Sequence, residues 1–139
     1  MTAFVWAMIA MFSWAVAPLL GKMGLAKIDP LPGLTARMMA VTAILVVALV
    51  ATGQVDAFRE MDRRSAGLLI GEGIFAGLIG HFAFYYALKL GLVSEVVPVT
   101  AAARGLTVLL AFLLFRESIS PTGIVGLLLI LGGIILVGR

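Results

Sequence analysis

Five apolar stretches, at about residues 3–23, 31–52, 66–90, 94–116 and 120–138, take up nearly all of this 139-residue chain. A helix needs about 20 apolar residues to cross a bilayer, and with no water at hand its backbone must bond within the segment. The expected fold is an all-α integral membrane protein, a single domain over residues 1–139 with five transmembrane helices and short connections. Composition agrees: 63% of the residues are hydrophobic, 12% are charged and the mean hydropathy is +1.19, values far from those of soluble domains. In a soluble protein a pI near 9.8 would suggest nucleic acid. Here the ten Lys and Arg read as loop and interface charges, and no nucleic-acid partner is expected. With no cysteine and one histidine, His81, the chain offers no thiolate metal site and no nucleophile with a base. No enzyme activity, cofactor or metal is expected.

Cap chemistry sets the segment ends. Asp29 before Pro30 marks the start of the second span, Ser94 can cap the fourth, and Ser120 before Pro121 opens the fifth. Gln54 to Ser65 reads as an exposed polar loop. Ala15-Val16-Ala17 imitates a signal-cleavage site, but Pro18 follows it directly and no Lys or Arg precedes it, so the first stretch is read as a span. Trp14, Pro18 and Lys22 are spaced by four along that span. Either they are a packed tryptophan and a lysine that snorkels to the interface, or they wall a cavity.

Arg104 sits midway along the fourth span, where a charge costs about 2.5–3.5 kcal/mol on insertion scales and normally faces a partner or a wet cavity. Its stripe is small or hydroxylated, with Val97, Thr100, Ala101, Thr107, Val108 and Ala111; leucines fill the opposite side. In the third span Gly67 and Gly71, then Gly73 and Gly77, are four apart, a spacing that lets helices approach closely. Gly126 and Gly133 suggest the same for the fifth span. Glu72 and His81 are the titratable pair of the third span; nine residues at about 100° each put them on opposite faces of an α-helix. Each has two readings, Glu72 as a headgroup-level acid or a charge partner, His81 as a packing residue or a proton carrier.

Five crossings would place the chain ends on opposite sides. Arg59, Arg63, Arg64 and Arg116 then face Lys22, Lys27, Lys89 and Arg139, with Arg37 as a possible addition to the second set. Orientation follows the Lys/Arg excess, and this near-balance raises dual topology, with copies inserted both ways.

The second half carries a pattern: Tyr86-Ala87-Leu88-Lys89-Leu90-Gly91, Ser94, Val97-Pro98, then Phe115-Arg116-Glu117-Ser118-Ile119-Ser120, Gly126 and Leu131-Gly132-Gly133-Ile134-Ile135-Leu136. In order and spacing it resembles the EamA domain of the drug/metabolite transporter superfamily, and Trp14, Lys22 and Arg37 agree more loosely. The resemblance implies half of an inverted-repeat transporter, two five-helix units of opposite orientation moving small organic solutes by alternating access. Such domains often have a proline where this sequence has Arg104. Small multidrug exporters of the superfamily carry a glutamate in their first helix; this one has no acid there, so their proton-coupled mechanism is not carried over.

The expectation is a small homodimeric transporter, an exporter of an organic metabolite, in the cell (inner) membrane, with an antiparallel second copy as partner. Trp14, His81, Tyr85, Thr100, Arg104 and Thr107 are its candidate cavity residues. An arginine facing a cavity grips carboxylate or phosphate in two places, favouring an anionic or zwitterionic solute; alternatively Glu72 or the second copy neutralises Arg104. The other class considered is an accessory or half-transporter subunit of a hetero-oligomeric complex, for example one moving lipid-linked sugars.

Overall fold

The computed structural model describes residues 2–116 and 120–137. Every regular element among them is helical: α1 (Ala3–Gly24), α2 (Pro30–Ala51), the short α3 (Val55–Arg59), α4 (Arg63–Leu90), α5 (Val93–Phe115) and α6 (Pro121–Val137). Helices α1, α2, α4 and α5 are long and apolar enough to cross a membrane. The fifth apolar stretch forms the 17 residues of α6, shorter than those four; position 138, its expected end, lies outside the described residues.

Helix ends follow local chemistry, not always at the expected residue. At the end of α2, Gly53 takes φ +68°, a left-handed conformation that costs glycine little. The Gln54 amide then bonds the Leu49 carbonyl and the Gly53 amide that of Val50, closing a Schellman turn. Helix α4 starts at Arg63, three residues before the expected 66, because the Asp62 carboxylate accepts from the amides of Arg64 and Ser65 at 3.0 Å each. Ser120 caps α6 as expected, its Oγ accepting from the Gly123 amide at 3.1 Å. Two expected caps are corrected. Asp29 stands at the start of α2 without a side-chain cap bond, because Lys89 engages its carboxylate. Ser94 lies inside α5, whose cap position is taken by Leu92.

The chain divides into two compact units, Met1–Lys89 and Leu90–Arg139. In the first, the end of α1, the start of α2 and the end of α4 come together. Leu25, Leu34 and Leu88 are buried there, as is Pro30. Away from this junction apolar side chains stand uncovered, Phe75 at 74% exposure and Val47 at 67%. Lipid tails accept such surfaces, so these helices need no close neighbours along their length. In the second unit α5 and α6 lie beside each other, with Gly105 buried and a hollow of about 270 Å³ lined by Gly105, Leu106, Leu109 and Leu127.

Candidate functional site

The junction of the first unit is built from groups that suit helix ends. Lys22 does not snorkel outward; its Nζ donates to the Leu88 carbonyl at 2.5 Å. That carbonyl belongs to the last turn of α4, where the backbone leaves acceptors without amide partners and a cation is favoured. Lys89 pairs with Asp29 and also donates to the Ile28 carbonyl at 3.4 Å. Tyr85 sits between the two other helices: a Cβ on Gly21 would lie 3.9 Å from its Cε1, and one on Gly33 3.8 Å from its Cε2. Sequence reasoning missed Gly21 and Gly33; their only signal was a position near span ends that must turn.

Beyond the junction, α4 departs from an ordinary helix. Gly73–Gly80 is wound as a π-helix between α-helical Arg63–Glu72 and His81–Leu90. Five glycines in Gly67–Gly80 are the sequence signal of it; the spacing of Gly67, Gly71, Gly73 and Gly77 suggests close packing and does not announce the winding. At the end of the π segment the ring of His81 turns back on the helix, with Nδ1 2.6 Å from the Ala76 carbonyl. A carbonyl can only accept, so Nδ1 carries the proton and, in the neutral ring, Nε2 is the bare acceptor.

This winding changes which residues share a face. Helices closing i→i+3 and i→i+4 bonds have 3.0 and 3.6 residues per turn; extrapolating to i→i+5 gives about 4.3, or roughly 85° per residue. Over the nine residues from Glu72 to His81 the angle then comes back to within roughly 45° of the start, in place of the 180° expected of an α-helix. On that winding Glu72 comes round toward the side of α4 that carries His81. Gly77 lies on it, since its Cβ would meet Met38 Cε of α2 at 3.8 Å. Tyr85 continues the same stripe toward α1 and α2. His81 and Tyr85 are half-buried and Glu72 is exposed.

Between α2 and the π segment lies an apolar groove of about 530 Å³, lined by Leu34, Thr35, Met38, Met39, Thr42 and Leu78. None of the expected cavity residues lines it. Thr35 donates its hydroxyl to the Leu31 carbonyl at 2.9 Å, so it meets the groove as an acceptor only.

The remaining expected residues fall as follows. Trp14 lies on α1, 58% exposed, one turn before buried Pro18. On α5, Thr100 donates to the carbonyls of Val96 and Val97 at 3.1 and 3.0 Å, and Thr107 to that of Ala103 at 2.9 Å. Both hydroxyls leave only acceptor lone pairs for anything else. Arg104 has an exposed side chain, one residue before buried Gly105. A Cβ on Gly67, Gly71, Gly73, Gly126 or Gly133 would meet nothing within 4 Å, so among the described residues no neighbour packs tightly on these five glycines.

No solved structure matches the chain. A 59-residue stretch is 39% identical to an uncharacterized protein of Methanocaldococcus jannaschii, covering 42% of this chain and 43% of that protein, less than half the length of either. The sequence profile of the EamA-like transporter family runs over residues 1–139, and with apolar helices of spanning length the chain is a multi-pass membrane protein that belongs to this drug/metabolite transporter family.

Proposed function

We propose that the protein is an exporter of a small organic metabolite in the cell (inner) membrane and works by alternating access as an antiparallel homodimer. The observation that supports it most is the even division of basic residues, Arg59, Arg63, Arg64 and Arg116 against Lys22, Lys27, Lys89 and Arg139, which leaves no strong orientation signal. A unit with five crossings needs a second of opposite orientation to make an inverted pair, and copies inserted both ways supply it. Arg104 gives the solute its chemistry: a guanidinium at mid-span holds carboxylate or phosphate by two parallel hydrogen bonds, so the solute is anionic or zwitterionic.

A compartment-sensitive reporter fused to the C-terminus tests the topology. Signal from both sides is expected, and signal from one side alone would sink the antiparallel pair. Efflux of organic acids from proteoliposomes tests transport, with Arg104→Ala expected to abolish selectivity for anions. Unchanged selectivity in that variant removes Arg104 from the solute's path. A purified protein that stays monomeric and moves nothing favours the accessory-subunit reading.

A further inference from the structure

The π segment of α4 arranges two titratable side chains in a way the transport reading leaves unused. His81 spends Nδ1–H on the Ala76 carbonyl, so its ring is held in one orientation and one tautomer, with Nε2 as a lone acceptor. It stands between Gly77, which faces Met38 of α2, and Tyr85, which reaches Gly21 and Gly33. The stripe is therefore the inward side of the first unit. The same π winding turns Glu72, whose side chain is exposed, toward that stripe, whereas a regular α-helix would have set it on the opposite face. The other ionisable groups of the unit's spanning helices are Arg37 on α2, Lys22 on α1, and Arg63, Arg64, Tyr85, Tyr86 and Lys89 on α4 itself. Two of them are already engaged, Lys22 with the Leu88 carbonyl and Lys89 with Asp29.

We propose that His81 Nε2 and the Glu72 carboxylate form a track of two hydrogen-bond acceptors along the inward stripe of α4, which takes the proton-donating head, hydroxyl or ammonium, of the transported solute. The occupant's identity rests on the transport reading; the geometry of the track does not. At roughly nine residues apart the two acceptors act in succession, first one and then the other, as the head moves along the helix. The track exists only while Gly73–Gly80 stays π-wound, because return to α winding carries Glu72 to the far face.

The chain has one histidine and no cysteine, so both parts can be read without background in protein reconstituted in liposomes. Nitrogen-15 NMR of the histidine-labelled protein above neutral pH is expected to show Nδ1 protonated and Nε2 bare, and the opposite tautomer would overturn the assignment. Diethyl pyrocarbonate, which acylates a bare imidazole nitrogen from water, should give the absorbance of N-carbethoxyimidazole in nearly every chain and no such band in the His81→Gln variant; an unreactive histidine overturns the track. Single cysteines then test the winding. Glu72→Cys is expected to react with a water-soluble maleimide several-fold faster than Ile74→Cys, whereas the reverse order, which regular α winding from His81 would give, overturns the shared stripe. None of these readouts requires transport, so they can fail while efflux is intact, or hold while efflux is absent.

Discussion

The glycines at the two ends of the first unit have the same chemistry and opposite surroundings. At the junction, a Cβ on Gly33 would come within 3.1 Å of Leu25 Cδ2, and one on Gly21 within 3.5 Å of Leu88 Cδ1. At the other end of α4, a Cβ on Gly67, Gly71 or Gly73 would meet nothing within 4 Å. The first pair makes room for the chain's own helices. The second set costs helix stability without any return from within the described chain. Small residues at helical spacing thus mark a close approach only where a neighbour is present, and the uncovered set is where another helix could settle.

Emptying the junction should have the largest effect. Leu88 is completely buried, and Leu88→Ala should lower stability by about 2–5 kcal/mol, measured by unfolding in detergent; a loss near zero would mean the junction does not hold the unit together. Lys22→Met removes the donor to the Leu88 carbonyl and should cost about 1–2 kcal/mol, with the loss absent if lipid headgroups, not that carbonyl, hold the amine. The glycine contrast itself is sharpened by a matched pair. Gly67→Ala should raise stability by about 0.5–1 kcal/mol through helix propensity, whereas Gly33→Ala should show no gain because Leu25 must give way. Equal gains at both would break the comparison, and loss of a dimer in Gly67→Ala alone would locate the second copy on that edge.

The smallest expected effect is at the start of α4. Asp62 lies outside the apolar span, and its carboxyl is held below the usual carboxylate range by hydrogen bonds from Ser65, side chain first and then backbone, and from the Arg64 amide. A group whose folded pKa is depressed stabilises the fold above its unfolded value and loses that contribution as pH falls through the folded one. Stability of the α4 start should therefore decline slightly on acidification below about pH 4, and Asp62→Asn, which keeps a capping oxygen, should flatten that part of the pH profile. A profile identical in the two proteins would deny the cap its charge.

Much of the architecture was readable in advance because its causes are local. Apolar length gave the spans to within three residues at each described end, and Ser120 caps α6 because a hydroxyl beside a free amide needs no distant partner. Where a distant partner exists, local reading fails. Asp29 reads as a cap but is engaged by Lys89, sixty residues away. Lys22 reads as a snorkelling lysine, yet it meets the end of a helix 66 residues on. The π winding of Gly73–Gly80 is not legible in the sequence because periodicity assumes one angle per residue, and glycines announce freedom without saying how it is used.

The sequence by itself determined that this is a helical membrane protein, where its apolar helices run, and that ionisable side chains stand at Glu72, His81 and Arg104 within them, since hydrophobic length and residue type are properties of each segment alone. The tertiary structure decided which of those groups share a face and which amines hold helix ends together. Those outcomes depend on helix winding and on contacts between residues far apart in the chain, and no single segment contains them.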